Sequence, residues 1–600
     1  MTKKLLMGNE AIARGAVEAG LNLASAYPGT PSSEIVGTLA NWTKDCNFYA
    51  EWSVNEKVAL EVAAGAAYAG AYSLVAMKQV GLNVASDPLM SVAYIGVKGA
   101  LVVVVADDPG PHSSQTEQDT RGFAKFAKLP VFDPTSPEEA LEMTKAAFEL
   151  SHRYQMPVFI RPTTRVCHAT AGIQEGEIRK NDPEGFVKDS KWVIFPKLAY
   201  QRHQWLEEQQ IKLAQEFSSS GWNIIQYGNR TGIAVSGVSF LYVTEAVARL
   251  GINPTILKIG TPFPAPEQKI SEFLTRVDEV IVVEELDPVL EENIIGLAGK
   301  VGFQGAVYGK ISGDLPKAGE YSIDLVLKTL AGLCKGDKKE DIETYREIVT
   351  PPDLPVRPPV LCAGCPHRAS FYAVKAATKG MKVIYTGDIG CYTLGNAAPL
   401  SMVDTCLCMG AGITIAQGLL QIDSKVPVFA FIGDSTFFHT GIPGVINAVY
   451  NNHPIKIILL DNSTTAMTGH QPHPGMGRTA VGKETAVIDP VAIIRACGVG
   501  QVETVNPMEL KKTVEAVRRA MDYPGVAAVV MKHPCAAITK PKSGYQVDTQ
   551  ICTNCRRCLR ELGCPALAAG EKPQITSFCY GCGLCSQVCP SGAIKEVINS

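Results

Sequence analysis

Long apolar runs are missing from this 600-residue sequence. The longest, residues 100–106, has seven residues, against the roughly 20 that span a bilayer. The opening MTKKLLMGNEAIARG holds a three-residue apolar stretch, too short for the core of a secretion signal. A cytoplasmic protein is expected. A surplus of charge of one sign is missing too. The formal net charge is −3, which gives no basis for nucleic acid or an anionic membrane as partner. Tandem repeats and low-complexity tracts are absent. Charged residues make up 19% against 46% hydrophobic, a globular balance that excludes a disordered chain. At roughly 150 residues per domain, the length predicts about four domains.

Short β-branched runs alternate with Ala/Gly-rich helical stretches, which predicts an α/β fold with parallel sheets. The expected boundaries are 1–184 for a first α/β unit, 185–228 for a connecting segment and 229–335 for a second α/β unit. A linker at 336–359, charged and then Pro-rich, precedes a third unit at 360–542 and a Cys-rich module at 543–600. Strands are expected at 232–236, 254–259, 279–284, 382–386, 427–432 and 455–461, and helices at 55–68 and 443–450.

Eight of the 18 cysteines fall between residues 552 and 589. Without a secretion signal this points to metal binding rather than disulfides. The first run is Cys552-x2-Cys555-x2-Cys558-x5-Cys564-Pro; the second is Cys579-x2-Cys582-x2-Cys585-x3-Cys589-Pro. In two-cluster ferredoxins three closely spaced thiolates hold one cubane and the fourth ligand comes from the other run. The expected sets are therefore Cys552, Cys555, Cys558 and Cys589 for one [4Fe–4S] cluster, and Cys579, Cys582, Cys585 and Cys564 for the other. The extra residues at 559–563 should form a bulge. A pair of structural zinc sites is the alternative, although zinc ribbons use paired CxxC knuckles.

Gly433-Asp434-Ser435 ends one apolar strand, and Asp461-Asn462 ends the next after an intervening helix. Open α/β sheets bind ligands at such strand ends. Mg²⁺ prefers oxygen ligands shared with phosphate. Asp434, the Asn462 side chain and the Thr464 carbonyl suit it. The arrangement resembles the thiamine-diphosphate motif, with Ser435 and Asp461 replacing its usual Gly and Asn; an ordinary strand-end turn is the alternative. Thiamine catalysis also needs a carboxyl group on N1′ of the aminopyrimidine. Glu56, opening the Ala-rich NEKVALEVAAG with Gly65 nine residues on, is the candidate. It is expected in an apolar setting that raises its pKa. A Glu favoured by a helix N-terminus is the plainer reading. Since Glu56 and Asp434 belong to different units, thiamine diphosphate would lie between two folds, an arrangement that implies a dimer.

On these residues, and on YPGTPSS (27–33), MKQVGLNVASDP, ADDPGPHSSQTEQDTR, RPTTRVCH and LCAGCPHR (361–368), the chain resembles the 2-oxoacid:ferredoxin oxidoreductases. It is most similar to their large-subunit type, in which both thiamine folds are fused to a ferredoxin tail. The resemblance implies a pyrimidine-binding fold, an intervening transketolase-C-like α/β domain, a diphosphate-binding fold and a two-cluster ferredoxin module. It implies that Thr30 faces substrate and cofactor. It also implies that loops carrying Gly364, Cys365, His367, Gly390 and Cys391 border the diphosphate. The implied reaction is oxidative decarboxylation of arylpyruvates to arylacetyl-CoA and CO₂, with ferredoxin as acceptor and a smaller beta subunit in an α2β2 assembly. From the residues alone, Cys362-x2-Cys365 is half a metal site or a loop packed beside the cofactor. Backbone N–H groups near Gly364 and Gly410-Ala411-Gly412 would cradle phosphate. His112 and His367 are candidates to touch substrate or cofactor, and Arg161 and Arg165 to anchor a carboxylate; surface roles are the alternatives. Two other readings compete: a non-oxidative thiamine decarboxylase, and an electron-transfer subunit without catalysis of its own.

Overall fold

The computed structural model describes residues 3–334, 355 and 357–597, so the expected linker lies almost entirely outside the described residues. The chain divides into two compact units, Met1–Pro352 and Asp353–Ser600. Both are mixed α/β with parallel sheets. Among the described residues no helix is long and apolar enough to cross a membrane.

Besides the antiparallel pair Lys3–Met7 with Thr170–Gln174, the first unit holds two larger sheets. In one, six strands run parallel in the order Tyr49–Trp52, Leu23–Ala26, Tyr72–Lys78, Ala100–Ala106, Val158–Ile160, Val131–Phe132. Ala100–Ala106 is apolar throughout because it runs through the middle of this sheet, and all seven residues are buried. Strands covered on both faces lose the polar alternation. Helix Glu56–Tyr68 packs against this sheet through Ala59, Ala63 and Ala67, all buried. The side chain of Asn55 accepts the Val58 N–H and caps its start. The second sheet has the order Val307–Tyr308, Glu279–Val283, Thr231–Ser236, Thr255–Ile259, Asn223–Gln226, with only the last strand antiparallel.

The expected connecting segment 185–228 proves to be structured. It contains the 24-residue helix Pro196–Ser219 and the edge strand Asn223–Gln226. The helix buries one stripe, with Leu206, Leu213 and Phe217 inside, and leaves the rest to solvent.

In the second unit five parallel strands lie in the order Ile384–Thr386, Val428–Gly433, Lys456–Asp461, Ala527–Lys532, Gln501–Val505. Alternation along VFAFIG sends Val428, Ala430 and Ile432 to one core and Phe429 and Phe431 to the other. The Cys-rich module has two short antiparallel pairs, Tyr545–Val547 with Ile594–Glu596 and Leu567–Ala568 with Gln574–Ile575. Its Leu562, Leu584 and Val588 pack on Ala369, Tyr372 and Leu510 of the parallel-sheet fold. The bulge expected at 559–563 is instead part of helix Arg557–Leu562, ended by Gly563 at φ 57°. The extra residues complete a helical turn, and Gly is suited to the left-handed cap.

Within the first unit the two sheets are clasped by a buried guanidinium. Arg121, fully enclosed, donates to Asp119 Oδ2 at 2.6 Å, Glu284 Oε2 at 2.8 Å and the carbonyls of Glu285 and Asp287 at 2.9 and 3.0 Å. Burial pushes the Asp119 carboxyl up, but Arg121 and Arg161 overcome this and hold it at about 2. Removing one partner of a buried pair leaves the other charge uncompensated, at a cost of about 3–5 kcal/mol. Arg121→Met should lower the chemical stability of this unit by that amount. A shift within the error of a denaturant titration would show that Asp119 and Glu284 are neutralised without it.

Candidate active site

Strands Val428–Gly433 and Lys456–Asp461 are adjacent and parallel, so their C-terminal ends bring Asp434 and Asn462 together. Asp434 Oδ2 accepts the N–H groups of Asn462 at 3.1 Å and Ser463 at 2.8 Å, and His473 Nε2 lies 3.1 Å from it. Asp434 Oδ1 accepts the Ser435 N–H at 2.8 Å. Burial pushes this carboxyl up, but the His473 ring and the Ser435 N–H outweigh burial and hold it below the usual range. Oδ1 retains acceptor capacity. Asn462 Oδ1 accepts the Thr464 N–H at 3.2 Å, and Thr464 Oγ1 is buried without a partner. These hard oxygens at two strand ends fit Mg²⁺. Ser435 is buried beside them, its Oγ accepting from Thr465 at 3.0 Å.

His367 enters the same cluster. Asn462 Nδ2 lies 3.4 Å from its Nε2, while its buried Nδ1 has no partner. With Nε2 accepting from the amide, Nδ1 carries the proton and is a donor with nothing to receive it. Burial lowers this imidazole to about 4, so it is neutral. An orphaned donor beside the Asp434 oxygens fits a phosphate oxygen.

The glycines sort differently from expectation. Gly390 and Gly433 make room for the Tyr392 ring: a Cβ would come within 2.3 Å of it at 390 and 2.6 Å at 433. The Gly410 N–H, expected to cradle phosphate, is taken by Asp388 Oδ2 at 2.8 Å. Asp388 also accepts from the Tyr392 hydroxyl, and burial raises its carboxyl to about 7. An internal carboxylate thus caps helix Ala411–Ile422. Gly364, at φ 77°, faces the Cys-rich module, where a Cβ would strike the Tyr580 ring at 2.6 Å.

The eight module cysteines line two voids. Cys552, Cys555, Cys558 and Cys589 border one; Cys564, Cys579, Cys582 and Cys585 border another, together with Gly364, Cys365 and Arg368. Among the described residues no three His, Cys, Asp or Glu side chains converge as a site for a single ion. Thiols spread around a void suit a cubane, whereas zinc draws four sulfurs to about 2.3 Å. Cys391 lies with Cys362 and Cys535 near Asp434; burial first, then these neighbours, push its thiol up to about 11. Burial pushes Cys365 up to about 12.

In the first unit Glu56 is 5% exposed. Its carboxylate lies against Gly81, where a Cβ would come within 2.6 Å of Oε1. Lys78 is buried nearby, its stem against Gly29 and its Nζ 3.1 Å from the Ser113 carbonyl. Burial lowers this amine, with Asp108 and Glu56 opposing. Ser113 Oγ in turn donates to the Thr30 carbonyl at 3.1 Å. Arg161 and Arg165, candidate carboxylate anchors, are both engaged by acids. Arg161 is buried against Asp107 at 2.6 Å and Asp133 at 3.4 Å, and Arg165 pairs with Glu320, as does His112. His473 and Cys535 had no motif to mark them, whereas Lys78 and Gly81 stand inside MKQVGLNVASDP and Asp388 beside the loop glycine Gly390 and Cys391.

Three family models match the chain: "Pyruvate flavodoxin/ferredoxin oxidoreductase, thiamine diP-bdg" over residues 14–190, "Thiamine pyrophosphate enzyme, C-terminal TPP binding domain" over 388–531, and "LdpA Fe-S cluster-binding domain" over 561–600. The cofactors are therefore thiamine diphosphate and iron–sulfur clusters. The chain is 44% identical over 607 residues to the indolepyruvate oxidoreductase subunit IorA of Methanothermobacter thermautotrophicus, covering 99% of this chain and 97% of that one. It is 43% identical over 604 residues to that of Methanothermobacter marburgensis, covering 98% and 97%. The 2-oxoglutarate synthase subunit KorA of Archaeoglobus fulgidus is 25% identical over 47% of this chain and 88% of its own. With two thiamine-binding folds and a cluster-binding tail matched, and with relatives 43% and 44% identical over nearly its whole length, the chain belongs to the indolepyruvate oxidoreductase subunit IorA family of 2-oxoacid oxidoreductases.

Proposed function

We propose that this chain, in the cytoplasm and with a smaller second subunit in an α2β2 complex, oxidatively decarboxylates arylpyruvates. Indolepyruvate, phenylpyruvate and 4-hydroxyphenylpyruvate would be converted to arylacetyl-CoA and CO₂, with two electrons passing singly to ferredoxin. The observation that carries the reading is a four-cysteine void whose wall includes Gly364, Cys365 and Arg368 of the diphosphate-type fold. A non-oxidative decarboxylase has no use for an electron-accepting site there, and a pure electron carrier has no use for the Asp434 oxygen cluster.

Thiamine diphosphate, when bound, supplies the nucleophilic carbon and electron sink for 2-oxoacid decarboxylation. The residues of this chain would do the rest. Asp434, the Asn462 amide oxygen and the Thr464 carbonyl would hold Mg²⁺, and His367 Nδ1–H would donate to a diphosphate oxygen. Glu56 would exchange a proton with N1′ of the aminopyrimidine. Gly81 leaves the Glu56 carboxylate its space. Thr30 would face the substrate. Lys78 would take the substrate carboxylate: Arg161 and Arg165 are held by acids, whereas Lys78 Nζ is given over to a single carbonyl. A buried ammonium holds a carboxylate more strongly than a solvated one.

Anaerobic mixing of the complex with arylpyruvate, CoA and a viologen should give CoA-dependent dye reduction. Free aldehyde without reduction would establish the decarboxylase instead. Glu56→Gln should slow substrate-driven reduction by about 10²–10⁴-fold and leave the cluster spectrum unchanged; undiminished turnover would remove Glu56 from its role. Lys78→Met should lower kcat/KM for the arylpyruvate by about 30-fold or more, the loss expected for one buried charge pair. The corresponding arylacetaldehyde, which lacks the carboxylate, should be oxidised at the same rate by both proteins. An equal loss on both substrates would assign Lys78 to the cofactor or to the fold.

A further inference from the structure

The two cysteine voids are not equivalent. The one lined by Cys564, Cys579, Cys582 and Cys585 is walled by the parallel-sheet fold. Arg368, 4% exposed, fastens the two parts by donating to the carbonyls of Leu562 at 2.6 Å and Gly563 at 2.8 Å. The void lined by Cys552, Cys555, Cys558 and Cys589 is bordered by residues of the module alone. Its Cys555 is exposed, and so are the flanking Thr553, Asn554 and Arg556. One void therefore faces the thiamine fold and the other faces away.

The outward void carries positive charge. Arg556 borders it and donates to the Asn554 side chain at 3.3 Å and the Gly570 carbonyl at 3.0 Å. Arg560, exposed, donates to the Cys555 carbonyl at 2.7 Å. Among the described residues neither guanidinium is paired with a carboxylate. Lys572 adds an ammonium bonded to the Thr549 carbonyl. Nearby acids are mostly spent: Glu561 is held by Arg557 at 3.0 Å and Tyr372 at 2.8 Å, and Asp548 by Lys595 at 3.0 Å. Glu571, whose carbonyl accepts from Asn554, is an exposed carboxylate on this face.

We propose that the Arg556–Arg560–Lys572 face is the docking surface for an acidic iron–sulfur carrier protein, and that electrons leave the chain there. The Cys564 set would then hold the inner cluster and the Cys552 set the exit cluster. The inference rests on the oxidoreductase reading and gives it a direction. One electron would cross at a time, given up by a cluster that the Cys552 set would hold and taken by the carrier's own cluster, with no bond or proton moved. Charge on a rim of this kind acts through encounter rate and salt dependence, which makes it separable from catalysis.

The test uses the assembled complex and an acidic two-cluster ferredoxin. Arg560→Glu should weaken ferredoxin binding, measured by calorimetry at low salt, by about tenfold and flatten its salt dependence. The KM for ferredoxin should rise in parallel. The cluster spectrum and substrate-driven reduction of a small dye should stay within twofold of the unaltered complex. If Arg560→Glu disturbs the clusters through its Cys555 contact, Lys572→Glu should show the same ferredoxin-specific loss. Unchanged ferredoxin affinity in a cluster-replete variant would overturn the docking surface while dye reduction leaves the reaction itself standing. A complex that binds ferredoxin through this face but reduces no dye with arylpyruvate would overturn the reaction and leave the surface.

Discussion

The Asp434 carboxylate is the constraint around which the second unit is organised. It sits where one buried strand ends, and its oxygens collect N–H groups from Ser435, Asn462 and Ser463 together with the His473 ring. A buried carboxylate is tolerated only when so surrounded. Satisfying it therefore fixes the path of the chain after two neighbouring strands at once. The consequence spreads outward: Asn462 is set to meet His367, and His367 stands at the start of the helix on which the Cys-rich module packs. The Asp434 oxygen cluster and the cysteine-bearing module are thus joined by one helix instead of by a flexible connection.

The first unit solves a related problem with more charge. Arg121 and Arg161 lie among Asp107, Asp119, Asp133 and Glu284, all buried. Such networks are poor sources of net stability, but breaking them is costly. Here they tie the two sheets of the first unit together.

Much of this was legible in the sequence where a local pattern had a physical cause. Unbroken apolar runs marked the central parallel strands, and Gly-Asp and Asp-Asn marked the ends of two of them. The CxxCxxC runs marked the thiols because cubane ligation demands short spacing. Legibility failed where partners come from afar. His473 lies 39 residues from Asp434 in a loop without period, and Asp388 meets Gly410 from 22 residues away. Gly364, read as a phosphate-cradling glycine, and Gly433, read as part of the thiamine-diphosphate motif, also have a packing reason to be small, since Tyr580 and Tyr392 lie on them. The helix Pro196–Ser219 escaped notice because only one narrow stripe of it is buried, with too little apolar contrast to stand out from a connecting segment.

The seating of the module on the Pro366–Ala377 helix has a bearing on how the protein ages in air. The module has few buried apolar side chains of its own, so its shape depends on its iron and on the surface beneath it. Oxygen that strips iron from the inner site would slacken the turn at Leu562 and Gly563, and Arg368 would lose the two carbonyls it grips. The loop bearing Cys362 and Cys365 is tied to the same guanidinium through the Leu361 carbonyl. Oxidative damage at the tail would in this way reach the thiamine fold as a mechanical fault, before any residue of that fold had itself been oxidised.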